Sequence, residues 1–150
     1  LISSINIIRS NKNHNEKLFL MRDQKRRSFN QDQLLSIAKN YGYEDIYLEK
    51  YSFSEQVNII ANAKNLIGAS GAAWSSMIYS KNSLKCLSWL PKEYFDFSTY
   101  SSLAYSLGHY LLFIEYYPDK KIQTTGQIYS QSYKVSPEEF EKGLKELEKI

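Results

Sequence analysis

Short apolar runs alternate along this chain with amphipathic stretches, and the alternation predicts strands followed by helices. Residues 17–22 are apolar through their middle, as befits a strand covered on both faces of a sheet. Asn30, with Gln33 three residues on, reads as a helix start, and Leu34, Ile37, Ala38 and Tyr41 share one face before Gly42 stops the helix. A second short strand is expected at residues 46–48. Ser52 and Glu55 form a capping box for a helix through Val57, Ile60 and Ala61. Leu66 and Ile67 form a third strand, and a turn at residues 68–73 leads into a helix reaching about Tyr79. Residues 84–90 read as a fourth strand ended by Pro91, residues 94–107 as a helix and residues 110–116 as a fifth strand. Ser136, Pro137, Glu138 and Glu139 supply an N-cap, a first-turn proline and an acidic first turn for a last helix, with Phe140, Leu144 and Leu147 facing inward.

Five such alternations predict an α/β fold: a Rossmann-like three-layer sandwich with a parallel sheet of about five strands and right-handed crossovers. Ligands in such sheets sit beyond the carboxyl ends of the strands, where the strand order reverses. Chemistry is therefore expected at residues 22–30, 68–75 and 88–92. The segment from Asn65 to Met77 stands out, because a buried strand, a Gly/Ser turn and a helix start together present backbone N–H groups and a positive dipole end to an anion. Close packing also calls for small residues at such a junction, so both readings stand. Arg22 directly follows the first strand, with Lys25, Arg26 and Arg27 close behind. Guanidinium groups there can meet a phosphate held by the turn. The Lys-Arg-Arg run reads equally as a solvated loop.

Composition changes this picture little. At 150 residues the chain is one domain's worth. A net charge of +3 is too small to imply nucleic-acid binding. The single cysteine, Cys86, lies in an apolar run and reads as an inert buried thiol in a reducing compartment. His14 and His109 are far apart, and no Cys/His cluster has metal-ligand spacing. No apolar run approaches the ~20 residues of a membrane span. The chain begins with Leu1, so residues 1–16 are read as a helix and linker arriving from a missing amino-terminal domain.

The series Leu18-Phe-Leu-Met-Arg22, Arg27-x-x-Asn30, Tyr41-Gly-Tyr43, Ser54-Glu-Gln56 and Ala63-x-x-Leu-Ile-Gly-Ala-Ser-Gly-Ala-Ala73, followed by a strand ending near Pro91, resembles the carboxy-terminal half of family 61 glycosyltransferases. That group includes bacterial capsular polysaccharide biosynthesis proteins, and the likeness runs from about Lys17 to Tyr117. The resemblance implies the donor-binding half of a two-domain GT-B enzyme. Its activity would be inverting and metal-independent transfer from a nucleotide sugar to an acceptor hydroxyl on a saccharide or lipid-linked saccharide. The nucleotide sugar is substrate, and no cofactor is implied. A cytoplasmic location follows, with contact at the inner face of the membrane open through a lipid-linked acceptor.

Carried over by position, the resemblance implies Arg22 and Arg27 near the donor phosphates, Asn30 opening the next helix, the pair Glu55 and Gln56, the small-residue turn of Gly68, Gly71 and Ala72, and contacts from Ser70 and Ser88. Glu55 and Gln56 read equally as a cap with its solvent-exposed neighbour. Ser70 stands where many members have histidine; it can donate one hydrogen bond and N-cap the helix, but it cannot act as a base near neutral pH. Ser88 stands where an acidic residue often accepts ribose hydroxyls. The catalytic base has no persuasive residue here and is expected in the missing half, with Asp96, His109 and Glu115 as weaker choices. Two other classes stay open: a non-catalytic nucleotide- or sugar-phosphate-binding module, and a scaffold of a polysaccharide assembly system.

Overall fold

A computed structural model describes residues 14–25, 28–92, 99–118, 120–121, 123–128 and 130–150. The expected helix at residues 1–10, residues 94–98 of the helix expected at 94–107 with Asp96 among them, and Arg26 and Arg27 lie outside the described residues. Strands β1 (Lys17–Leu20), β2 (Glu44–Ile46), β3 (Asn65–Gly68), β4 (Lys85–Pro91) and β5 (Tyr110–Tyr116) form one sheet in the order β2-β1-β3-β4-β5. Every pairing is parallel. The helices are α1 (Gln31–Asn40), α2 (Phe53–Asn62), α3 (Thr99–Ser106), α4 (Thr125–Ile128) and α5 (Pro137–Lys149).

Period-two alternation along the strands divides the core into two layers. Phe19, Ile67, Leu87, Trp89 and Ile114 face α1 and α5, meeting Leu34, Ala38, Phe140, Leu144 and Leu147. Leu18, Leu20, Leu66 and Cys86 face the other way, onto Ile59 and Ile60 of α2, Trp74, Met77 and Ala104. The three-layer Rossmann-like sandwich expected from the alternation is therefore present. Burial explains why this works in a chain with only short strands: the three inner strands β1, β3 and β4 are buried through their middles, so few polar positions interrupt them, whereas the edge strands β2 and β5 keep exposed positions. The same burial pushes the Cys86 thiol up to about 12, which makes it an inert packing group.

Local expectations hold with four corrections. The second strand ends at Ile46, where β1 ends at Leu20 in register with it, and the chain tightens into a 3-10 turn at Leu48–Lys50. The helix after the glycine turn is also 3-10, over Ala72–Tyr79. Its buried residues, Trp74 and Met77, recur every three positions, and the Ser75 and Ser76 hydroxyls donate back to the Ala72 and Ala73 carbonyls at 2.7 and 2.6 Å. Asn30 makes no side-chain cap for α1. Its amide instead donates to the Val135 carbonyl and accepts from the Val135 N–H, each at 3.0 Å. Finally, β4 runs through Pro91. Its pairing with β3 has already ended at Leu87, so a missing N–H is tolerated there.

Candidate functional site

The strand order reverses between β1 and β3, and the two crossovers leave that point toward opposite faces. From β1 the chain goes to α1 on one face, and from β3 to the 3-10 helix Ala72–Tyr79 on the other. Divergent loops leave a crevice at the carboxyl edge. A cleft of about 580 Å³ opens there, with Arg22, Asp23 and Lys25 on one wall and Ala69, Gly71, Ala72 and Ala73 on the other. Glu49, from the 3-10 turn after β2, lines it as well and also lines a neighbouring groove.

The charged wall is positioned by side-chain amides. Gln31, only 3% exposed in the first turn of α1, reaches back to the backbone of Arg22: its Oε1 accepts from the Arg22 N–H at 3.0 Å and its Nε2 donates to the Arg22 carbonyl at 3.1 Å. Gln24 repeats the device, donating to the same carbonyl at 3.1 Å and accepting from the Phe29 N–H at 2.8 Å. Distant residues brace the far end of the loop. Besides the Asn30–Val135 pair, the Tyr133 N–H donates to the Ser28 carbonyl, and the Tyr133 ring stacks between Phe29 and Tyr116 at centroid distances of 5.3 and 4.1 Å. The Tyr133 hydroxyl accepts from Trp89 Nε1 at 2.8 Å. Arg22 thus stands on a rigid base, although it lies in a loop.

The other wall is backbone and methyl groups. Trp74, 1% exposed, pins it by donating Nε1–H to the Ala69 carbonyl at 3.0 Å, while its backbone N–H donates to the Gly71 carbonyl at 3.1 Å. Its two glycines differ in kind. A Cβ on Gly68 would stand 3.0 Å from both the Cβ and the carbonyl oxygen of Leu20, so packing alone demands glycine. A Cβ on Gly71 would meet only Arg22 Nη1, at 3.6 Å, and the residue's φ of 168° is extended backbone open to any side chain. Glycine at 71 keeps a Cβ from the immediate vicinity of Arg22 Nη1.

The cleft holds charges of both signs. Lys25 pairs with Asp23 at 3.7 Å, with both side chains well exposed, so the bond is weak and exchangeable for a better anion. Glu49 brings a second carboxylate to the lining, in addition to that of Asp23. The cleft is therefore lined by two cations, Arg22 and Lys25, and two carboxylates, Asp23 and Glu49.

Of the residues singled out from the sequence, Arg22, Gly71 and Ala72 come together in the cleft. Gly68 lies beneath it as part of β3, packed on Leu20. Ser70 is 5% exposed and is not the N-cap, a position that Gly71 takes without a side-chain bond. Ser88 is 1% exposed in mid-strand, opposite Phe113, because β4 runs three residues further than a site at its end would need. Its Oγ has no hydrogen-bond partner among the described residues. Glu55 completes the capping box with Ser52, and those hydrogen bonds hold its carboxyl below the usual range. Gln56 lines a neighbouring groove, its Nε2 donating to the Tyr51 carbonyl at 2.9 Å. Asn30 serves Val135, and Arg27 is outside the described residues. His109 is tied into the fold, with Nδ1 accepting from the Leu84 N–H and Nε2 facing the Met77 carbonyl, each at 3.2 Å. Glu115 lies on β5, facing a separate groove beside α5.

Sequence reasoning missed Gln31 and Glu49. Glu49 had a usable signal, since it follows a strand at the same edge as Arg22. Gln31 had none, because nothing in the local pattern says that a glutamine on a helix turns back to hold a residue nine positions earlier.

The family model Glycosyltransferase 61 matches residues 5–87, from upstream of β1 into β4. The chain belongs to the glycosyltransferase 61 family. Among curated proteins none matches it. The family match covers both walls of the cleft, Arg22 to Gln31 and Gly68 to Ala73, and Glu49 between them. A glycosyltransferase acts on two substrates, a sugar donor and an acceptor. Among the described residues, no helix of this family 61 chain is long and apolar enough to cross a membrane.

Proposed function

We propose that this family 61 domain binds the nucleotide-sugar donor, with the donor's diphosphate in the cleft between β1 and β3. The observation that carries the reading is the Arg22 guanidinium beside Gly71 at the point where the strand order reverses. Transfer breaks the bond between the anomeric carbon and the diphosphate oxygen as the acceptor hydroxyl oxygen attacks, so negative charge grows on the leaving group. Arg22 and Lys25 donate charge-assisted hydrogen bonds to that group, and the backbone N–H groups at the start of the 3-10 helix add neutral ones. A preorganised guanidinium takes the place of a divalent cation in this scheme, and displacement from the opposite face gives inversion.

The acceptor's proton passes to a base that we assign to the other domain of a GT-B pair. In this reading residues 1–150 form the donor half, which is inactive without its partner. The enzyme works in the cytoplasm on a saccharide or lipid-linked saccharide for a bacterial surface polysaccharide such as a capsule. The buried, free Cys86 suits a reducing compartment.

The test uses the full-length protein with a panel of nucleotide sugars. Arg22→Ala is expected to lower transfer by about 100-fold or more, with no change in unfolding midpoint. Transfer by Arg22→Ala at the wild-type rate overturns the reading. On the present chain, a nucleoside diphosphate at 100 times its dissociation constant should add about 2.7 kcal/mol of stability, read as a thermal shift.

A further inference from the structure

Beside the cleft lies a second groove of about 370 Å³, and the two share Glu49, Ala72 and Ala73. Nothing taller than a methyl group stands at the shared wall apart from that one carboxylate. The groove is lined by Leu48, Phe53, Gln56, Ile78 and Tyr79 among others. Two of these are apolar side chains left in solvent, Phe53 at 63% and Ile78 at 38% exposure. Phe53 is held in place despite its exposure. It is the first residue of α2, directly after the Ser52 of the capping box, and its ring meets Tyr79 at 85° and 5.6 Å. The serines beside it do not make the wall more polar, because the Ser75 and Ser76 hydroxyls are turned onto their own helix carbonyls.

Three chemistries therefore follow one another along a single trough: cations at Arg22 and Lys25, a carboxylate at Glu49, and an aromatic and aliphatic surface at Phe53 and Ile78. A nucleoside diphosphate has the matching order of phosphate, ribose diol and base. A carboxylate repels phosphate and accepts two vicinal hydroxyls; Asp23, the other carboxylate of the cleft, is offset by Lys25 at 3.7 Å, so Glu49 sets which way round such a ligand lies. We infer, on the reading that the cleft holds the donor diphosphate, that Glu49 accepts the ribose hydroxyls and that the nucleobase stacks in the adjoining groove against Phe53. Glu49 supplies the carboxylate that the sequence lacks at Ser88. The amide of Gln56, whose Nε2 donates to the Tyr51 carbonyl, is one group in the groove that can hydrogen-bond to the edge of a base.

Calorimetric titration of the whole chain tests this with ADP, CDP, GDP, UDP and dTDP, the 2′,3′-dideoxy form of the tightest of them, and inorganic pyrophosphate. Phe53→Ala should weaken the tightest nucleoside diphosphate about tenfold, as loss of one base–aromatic stack does, and leave pyrophosphate unchanged. Glu49→Gln should weaken it about fivefold, leave pyrophosphate no weaker, and abolish the preference for the ribose over the dideoxy form. Arg22→Ala should weaken both kinds of ligand. Wild-type nucleotide affinity in Phe53→Ala and Glu49→Gln, with Arg22→Ala still defective, overturns the base and ribose placement while the cleft reading stands. Nucleotide and pyrophosphate affinities that are absent, or that do not depend on Arg22, overturn both. Both residues are exposed, so a melting curve for each variant identifies any loss that comes from misfolding.

Discussion

The two walls of the cleft are built by opposite means. The wall after β3 is made within about ten residues: a strand, two glycines, three alanines, and Trp74 turning back to bond the Ala69 carbonyl. The wall after β1 carries the charge, and its shape depends on partners far away in sequence. Gln31 and Gln24 hold the Arg22 backbone, Asn30 holds Val135, and Tyr133 is wedged between Phe29 and Tyr116. The difference teaches that a surface of backbone N–H groups can be specified locally, whereas a charged side chain needs an outside scaffold to keep its loop in one conformation. Pairing the two sets the Arg22 guanidinium against Gly71, where a Cβ would stand 3.6 Å from Nη1.

The sharpest break of the locally built wall is Trp74→Ala. It removes a fully buried indole and its bond to Ala69, and should cost about 3–5 kcal/mol in a urea unfolding curve. A loss under about 1 kcal/mol would mean that the wall does not depend on Trp74.

For the remotely braced wall, Gln31→Leu should cost about 1–3 kcal/mol, because the Arg22 N–H loses the buried Gln31 amide and the Arg22 C=O keeps only the bond from Gln24 of the two amide bonds it accepts. It should also raise the dissociation constant for pyrophosphate, which an equal loss of stability at a site remote from Arg22 would not do. Unchanged pyrophosphate binding in a folded Gln31→Leu protein would show that Arg22 holds its position without the glutamine.

The glycines offer a comparison inside one wall. Gly68→Ala drives a Cβ into Leu20 and should destabilise by about 1–3 kcal/mol. Gly71→Ala should change stability by less than about 0.5 kcal/mol yet weaken anion binding, since its Cβ lies against the Arg22 guanidinium. Equal stability losses at the two positions would refute the distinction drawn between them.

The smallest effect concerns pH. Ser52 holds the Glu55 carboxyl low in the folded state, so the contribution of this cap is complete above the ordinary carboxylate range and is lost as pH falls through the lowered folded value. Glu55→Gln should flatten that acid portion of the stability profile without altering nucleotide affinity.

Much of the fold was legible because it rests on periodicity. The apolar run before Arg22, the facing set Leu34, Ile37 and Ala38, and the caps at Ser52 and Ser136 each state their element within a few residues. Asn30 shows where that legibility stops. Its spacing to Gln33 mimics a capping box, and the two side chains do hydrogen-bond at 2.9 Å, but the backbone of Val135 outcompetes the helix N–H for the asparagine oxygen. Ser88 shows the same limit along a strand: its distance from the site depends on where β4 ends, and pairing with β5 through Pro91 decides that.

By itself the sequence determined the parallel sheet, its edge of interest, the small-residue turn and Arg22 as the cation beside it, because hydrophobic period, caps and glycine placement act over short range. Only the tertiary structure decided that the order β2-β1-β3-β4-β5 sets Arg22 against Gly71, that Gln31 fixes it there, and that Glu49 stands between the cleft and the Phe53 groove. These are contacts between elements separated in the chain, and no local free-energy preference records them until the sheet has assembled.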